Sequence, residues 1–307
     1  MEAVAVEVRE LEKHYGAITA VDGLSMSIPS GAITAILGPN GAGKTTTLEC
    51  CEGYRRPDGG TVQVLGLDPK RDGAALTPRI GVMLQTGGIY PSVRAEDILR
   101  HTARLYANPL DPAMLIDRLG LAAARKTTYR RMSGGQQQRL SLAMAVVGRP
   151  ELVFLDEPSS GLDPQARLAT WDLVREMRAD GVSVVLTTHL MDEAEELADQ
   201  VIIIDHGRVV ASDSPASLTS QGAEGSLRFE AHAGLDLASL VAALPAGSTA
   251  TEPSPGRYVV KGAAGPHLLA AVTGWCAERD VMPQNLHSAR RTLEDVFLEL
   301  TGHEMRD

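Results

Sequence analysis

The chain of 307 residues carries 29 Lys plus Arg against 39 Asp plus Glu, a formal net charge of -10 and a pI near 5.3. That balance argues against a protein living on the nucleic-acid backbone, whose binders carry a basic face, so no nucleic-acid partner is expected. Apolar residues make up 44% of the chain, enough for one large core or a main domain plus a smaller one, which excludes disorder along its whole length.

The first residues, Met1 to Glu10, alternate Val with Glu and Arg and lack the basic and apolar regions of an export signal, so a cytoplasmic location is expected. No unbroken apolar run approaches the roughly 18 residues of a membrane-spanning helix. Cys50 and Cys51 are adjacent and Cys276 is remote, which gives neither metal spacing nor a disulfide framework and points to buried, inert thiols.

Val4 to Leu11 and Leu24 to Ile28 alternate apolar and polar side chains, the pattern of a half-exposed antiparallel sheet that Val62 to Leu65 can join. Five short runs are apolar on both faces: Ala32 to Leu37, Ile80 to Leu84, Leu152 to Leu155, Val182 to Leu186 and Val201 to Ile204. Such runs suit strands of a parallel sheet buried between helices, and Lys44 to Cys51, Gln136 to Val147, Pro164 to Ala179 and Asp192 to Ala198 read as those helices. Between Val93 and Arg131 the pattern is helical without strands, through Ile98, Leu99, Thr102 and Leu105 and then Leu115, Ile116 and Leu119. This predicts a three-layer α/β domain over 1–215 with a helical arm inserted at about 86–148.

Ser212 to Ser226 is rich in Ser, Ala and Gly, and a linker is expected at 216–225. Beyond it, 226–307 reads as a small α+β domain: strands at Leu227 to Ala231, Tyr258 to Val260 and near Val281 to His287, and helices at Asp236 to Leu244, Pro266 to Glu278 and Thr292 to Thr301. In the last helix Leu293, Val296, Phe297 and Leu300 share one face, which is most simply domain core and alternatively a subunit contact.

The chemistry begins at Gly38-Pro39-Asn40-Gly41-Ala42-Gly43-Lys44-Thr45, which matches G-x-x-x-x-G-K-[ST] directly after a strand and before a helix. Glycines let backbone N–H groups turn inward, the helix start adds partial positive charge, and Lys44 reaches the β and γ phosphates of a polyphosphate. Thr45 is the expected Mg²⁺ ligand. Leu152 to Asp156-Glu157-Pro158 is an apolar strand ending in two carboxylates that point to different sides, so Asp156 can hold Mg²⁺ while Glu157 faces an attacking water. Gln85 and His189 follow two further buried strands, so four strand ends deliver polar groups to one rim. Ser133-Gly134-Gly135-Gln136 combines a capping box with exposed glycine amides, either a capped helix alone or a second anion-binding helix start.

This ordered set resembles the nucleotide-binding subunit of an ATP-binding cassette (ABC) transporter over about Val4 to Ala211: P-loop, Gln85 of the Q-loop, the signature Met132-Ser-Gly-Gly-Gln136, Asp156-Glu157, the D-loop Ser159-Ser-Gly-Leu-Asp163 and the switch histidine His189. Met132 stands where the signature usually begins with Leu, a swap of similar apolar volume. The resemblance implies a P-loop NTPase cassette with an antiparallel β subdomain and a helical subdomain, ATP and Mg²⁺ as bound groups, and stacking of Tyr15 on adenine. It further implies contacts to nucleotide from Thr46 and Gln85, Mg²⁺ at Thr45, Gln85 and Asp156, and Asp163 joining two ATP sites, although Asp163 before Pro164 is also a good N-cap. In such proteins two cassettes sandwich ATP, the signature of one over the γ-phosphate of the other, and a separate transmembrane permease is driven. Pairing with a copy of itself, or else with a close relative, at the cytoplasmic side of the membrane is therefore expected, with Glu157, His189 and Lys44 catalytic.

The segments Gly81 to Ser92 and Arg291 to Gly302 are similar to ATP-binding subunits of ABC-2 type exporters, especially the daunorubicin-resistance branch, which implies drug efflux, with lipid or polysaccharide export as the alternative. An ABC ATPase of chromosome maintenance fits poorly, because Lys44 and Ser133 are only 89 residues apart (133 minus 44) with no heptad run between them. A translation-factor ATPase would resemble two cassettes on one chain. A nucleotide-binding module without hydrolysis is opposed by the presence of Lys44, Asp156, Glu157 and His189.

Overall fold

The structure is a computed structural model that describes residues 3–84, 88–220, 226–262, 265–289 and 292–302. It comprises two compact units, Met1–Pro215 with Phe297–Asp307, and Ala216–Val296.

The first unit opens with β1 (Val4–Tyr15) and β2 (Ile18–Pro29), then β3 (Ile33–Leu37), α1 (Lys44–Cys51) and β4 (Gly59–Val64). β1 pairs antiparallel with β2 on one side and β4 on the other, giving a three-stranded sheet of order β2-β1-β4. β1 continues past Leu11 to Tyr15, so that residue ends a strand facing the hairpin turn. α2 (Gly73–Leu76) leads into β5 (Ile80–Met83).

The helical arm follows as α3 (Ala95–Ala103), α4 (Pro112–Arg118) and α5 (Gly134–Val146). Its helices bury Leu99, Leu115, Ile116 and Leu140. Leu105, expected on the buried face, is 73% exposed: α3 closes at Arg104, its C-cap, so the helical spacing does not extend to it.

The chain then returns through β6 (Leu152–Asp156), α6 (Pro164–Ala179), β7 (Ser183–Thr187), α7 (Met191–Leu197), β8 (Gln200–Asp205) and β9 (Arg208–Asp213). These complete a six-stranded sheet of order β5-β6-β7-β3-β8-β9. All its pairings are parallel except β8 with β9. β9 was not anticipated, since this edge strand alternates half-buried and exposed residues and carries no fully apolar run. The parallel strands are buried on both faces, as their continuous apolar runs require. One face, with Ile36, Phe154, Val185 and Ile202, packs into a core shared with α1 and the three-stranded sheet. The alternate residues point the other way, and α6 lies against β7.

Of the stretch expected as a linker at 216–225, 216–220 lies in α8 (Pro215–Ser220), whose small residues tolerate a short helix once Pro215 starts it, and 221–225 lies outside the described residues. In the second unit β10 (Ser226–Glu230), α9 (Leu237–Ala243), β11 (Thr249–Ser254), β12 (Arg257–Lys261), α10 (Pro266–Glu278) and β13 (Gln284–Ala289) form a four-stranded antiparallel sheet, order β11-β12-β10-β13, with two helices. Leu227, Phe229, Tyr258, Val260, Leu268, Val272 and Trp275 build its core. β11 escapes a hydrophobic-pattern reading because it is a polar edge strand containing Pro253. β13 starts three residues later than expected, directly after Pro283, which cannot donate to a ladder. In the last helix, α11 (Leu293–Thr301), Leu293, Val296 and Phe297 are buried and Leu300 is exposed.

All three cysteines are free and buried, and burial pushes their thiols up, Cys50 to about 11. Burial acts in the same direction on Glu52, the C-cap of α1: desolvation, reinforced by the Asp156 and Glu49 carboxylates, raises it to about 8. The folded chain holds this proton more tightly than the unfolded chain, so this contribution to stability is full below about pH 4.5 and is lost as pH rises toward about 8. Glu52→Gln removes the dependence. In thermal melts without nucleotide or metal, the variant is expected to match the parent below about pH 4.5 and to exceed it most above about pH 8.

Candidate active site

Four neighbouring strands of the large sheet, β5, β6, β7 and β3, run parallel, so their carboxyl ends form one continuous margin. β3 ends at Leu37 and gives way to the P-loop. A Cβ at Gly38 would lie 2.3 Å from the Ile204 carbonyl oxygen, and one at Gly43 would lie 2.4 Å from that of Ala20, where φ is also +99°. Only glycine fits either place, and the close approach at Ala20 brings the β1–β2 hairpin against the loop. Gly41 is likewise left-handed, at φ +83°, while Ala42 donates its N–H to the Pro39 carbonyl (3.1 Å). Gly43 caps α1 without a side chain, so the first-turn N–H groups of Lys44, Thr45 and Thr46 face the mouth of the loop as an anion-binding helix start. Lys44 Nζ donates to the carbonyls of Gly38 (2.6 Å) and Pro39 (3.1 Å), spanning the loop whose mouth Asn40 and Gly41 complete. Burial holds this ammonium below the usual lysine range, opposed by the Glu157 and Asp156 carboxylates beside it.

Asp156 is the last residue of β6 and pairs in register with Thr187 at the end of β7. The Thr187 hydroxyl donates to Asp156 Oδ1. Burial pushes the Asp156 carboxyl up, and this hydrogen bond works against the shift. The next residue, Glu157, leaves the strand in the left-handed region at φ 50°, a conformation that costs a non-glycine residue of order 1–3 kcal/mol. Its N–H donates to the Thr187 carbonyl (3.1 Å) and lies equally close to the Thr187 hydroxyl (3.1 Å). Asp156 and Glu157 therefore diverge as the strand-end pattern requires, and His189 Nδ1 stands 3.5 Å from Glu157 Oε1.

The carboxylate of Asp156 and the exposed hydroxyl-bearing Thr45 are hard oxygen donors, which suit Mg²⁺. Among the described residues no group of three or more His, Cys, Asp and Glu gathers to cage a metal, so a cation here would take further ligands from phosphate and water. Gln85, expected as nucleotide and Mg²⁺ ligand, lies outside the described residues.

At the start of α5 the Ser133 side chain accepts from the Gln136 N–H (3.3 Å) while Gln136 Oε1 accepts from the Ser133 N–H (3.0 Å), a complete capping box. Gly134 is exposed at the first turn, and Gly135 packs near Leu162, where a Cβ would approach Leu162 Cδ2 to 3.2 Å. Asp163 accepts from the Ala166 N–H (3.0 Å) and caps α6 ahead of Pro164. Tyr15, 38% exposed, has Lys13 Nζ 5.7 Å and the Arg55 guanidinium 5.6 Å from its ring centroid. The structure thus gathers Lys44, Asp156, Glu157 and His189 at one margin and places Tyr15, Ser133 and Asp163 on separate elements.

Sequence reasoning passed over three polar residues here. Thr187 was legible as the hydroxyl closing an apolar strand. Gln138, whose Nε2 donates to the Glu157 carbonyl (2.7 Å), and Glu193 carried no local signal. Glu193 is fully buried; its Oε1 accepts from Ser159 (2.5 Å) and from Trp171 Nε1 (2.9 Å), while Oε2 has no hydrogen-bond partner among the described residues. That network ties the start of the Ser159–Asp163 loop to α7, the helix that follows His189.

The profile of the ABC transporter family matches residues 21–160. The daunorubicin/doxorubicin resistance ATP-binding protein DrrA of Streptomyces peucetius is 36% identical over 99% of this chain and 94% of its own length. The Nod factor export ATP-binding protein I of Ralstonia nicotianae is 35% identical over 98% of this chain and 95% of its own. Among solved structures, the ATP-binding subunit of an ABC transporter superposes with a TM-score of 0.65 at 27% identity, covering 71% of this chain and 92% of that one. A dimeric cassette in a post-hydrolysis state bound to ADP and Pi shares the fold with a TM-score of 0.63 at 23% identity, over 68% of this chain and 98% of that one. With relatives matched along nearly its whole length and a P-loop facing paired carboxylates, the chain belongs to the ABC transporter family, as an ATP-binding and ATP-hydrolysing subunit of the exporter type.

Proposed function

We propose that the chain hydrolyses ATP with Glu157 as the residue that polarises the attacking water, and that it works as one of a pair of cassettes driving a separate membrane-spanning permease. One observation carries this reading: Lys44, Asp156, Glu157 and His189 stand at a single sheet margin, with Glu157 turned out of line from Asp156 and facing His189 at 3.5 Å.

In this mechanism the P-loop residues Gly38 to Thr46 wrap the phosphates with backbone N–H groups, and Lys44 exchanges its loop carbonyls for the β and γ oxygens. Thr45, Asp156 and Gln85 would hold Mg²⁺, which would supply charge neutralisation to the phosphates. Glu157 accepts the proton of the water it aligns for in-line attack, and His189 keeps Glu157 and the γ-phosphate in register. Tyr15 offers its exposed ring to adenine beside the P-loop, with Lys13 and Arg55 fixing the ring's position. Ser133, Gly134, Gly135 and Gln136 of one copy close over the γ-phosphate held by a second copy, with Asp163 at the seam. The dimeric cassette bound to ADP and Pi supports this pairing by its shared fold.

Among the described residues no helix is long and apolar enough to cross a membrane. The chain's place is peripheral, on the cytoplasmic face beneath its permease. For the cargo, the relative named for daunorubicin/doxorubicin resistance supports a drug- or antibiotic-like compound; the relatives named for Nod factor export leave room for another class of cargo, with lipid or polysaccharide export as the second reading. Cells carrying the chain with its permease are expected to lose accumulated daunorubicin in an energy-dependent manner; unchanged accumulation favours the second reading.

Glu157→Gln is expected to bind ATP as the parent does and to lose turnover by at least about 100-fold, read as phosphate release and as nucleotide titration. Near-parental turnover removes Glu157 from its role. Lys44→Ala is expected to weaken binding and cleavage of ATP together, and a variant with parental affinity and rate contradicts the phosphate assignment.

A further inference from the structure

Glu157 reaches its orientation only by holding φ at 50°, and a left-handed non-glycine residue persists where its surroundings over-determine it. Thr187 secures the N–H side. On the other side, the Glu157 carbonyl accepts from the Ser160 N–H (3.1 Å) and from Gln138 Nε2 (2.7 Å). Thr187 and Ser160 belong to the sheet margin itself. Gln138 lies in the second turn of α5, whose first turn is the Ser133–Gln136 capping box. Chemistry fixes its amide: flipped, the two oxygens would face each other at 2.7 Å.

We infer that Gln138 is a positioning residue for hydrolysis, clamping the carbonyl of Glu157 so that the arm helix α5 sets where the Glu157 carboxylate points. This rests on the reading of Glu157 as the residue that polarises water. α5 is a continuous helix from Gly134 to Val146, so a shift at Ser133 moves Gln138 with it. When the donor withdraws, the carbonyl keeps, among the described residues, only Ser160, and rotation toward the right-handed region swings the Glu157 side chain away from His189. The signature end of the arm and the hydrolytic carboxylate of the same chain are thereby mechanically linked through one amide.

The test compares purified full-length variants in steady-state ATP hydrolysis, with melting temperature as a control. Gln138→Met, similar in reach but without a donor, is expected to lower kcat about 10- to 100-fold with KM for ATP within about twofold and melting unchanged. Gln138→Lys, which restores a donor, is expected to recover most of the loss. Glu157→Gln is measured alongside. If Glu157→Gln turns over normally, the reading of the base fails. If Glu157→Gln is inactive while Gln138→Met keeps parental kcat, the inference about Gln138 fails alone. It is equally overturned if Gln138→Lys is as slow as Gln138→Met, or if Gln138→Met loses ATP affinity and melting temperature together with kcat.

Discussion

The pairing of Asp156 with Thr187 at the ends of two parallel strands is the constraint on which the site depends. Thr187 offers a hydroxyl to Asp156 and a carbonyl to the Glu157 N–H, so one residue restrains two consecutive acids in different directions. Without that pairing the Glu157 N–H would lose its partner at the strand end, and the left-handed step at Glu157 would be less restrained. The parallel register also sets the spacing from β6 through β7 to β3, and hence the reach of Lys44 toward both carboxylates.

Around this margin, two kinds of packing keep the geometry stiff. On one side the P-loop is pressed against Ile204 and Ala20 so closely that a methyl group would not fit, which makes the loop a consequence of backbone contact rather than of side-chain choice. On the other, the loop after Pro158 hangs from a buried network in which Ser159, Trp171 and Glu193 share hydrogen bonds with no exposure of the carboxylate. A buried oxygen left without a hydrogen bond costs stability, and among the described residues Glu193 Oε2 has none.

Side chains that serve helix capping recur at places for which we propose a second chemical role. Ser133 and Gln136 close a capping box at the signature, and Asp163 caps α6 at the D-loop. A cap demands an extended residue whose side chain turns back onto the first helical N–H groups. That same geometry exposes the glycine amides of the following turn, so the local and the functional demands coincide rather than compete. At Lys44 and Asp156 they compete: burial drives the ammonium down and the carboxyl up, each toward its neutral form.

Much of the architecture was readable along the chain because its signals are local. Helices Lys44–Cys51, Pro164–Ala179 and Pro266–Glu278 follow their proline, glycine and apolar spacing to the residue, and the both-faced apolar runs state that their strands are covered by helices. The P-loop, the acidic strand end and the capping box are likewise contiguous motifs, so residue order alone determined an α/β nucleotide-binding fold and nominated Lys44, Asp156, Glu157 and His189. Polar edge strands such as Arg208–Asp213 and Thr249–Ser254 gave no such signal, since an edge needs only one partner and no apolar run. What only the tertiary structure decided is which distant polar groups meet: Gln138 with the Glu157 carbonyl, and Glu193 with Ser159 and Trp171. A hydrogen bond between residues far apart in the chain depends on the docking of a helix arm or a crossover helix against the sheet. That docking is set by summed packing, and no local run of residues encodes it.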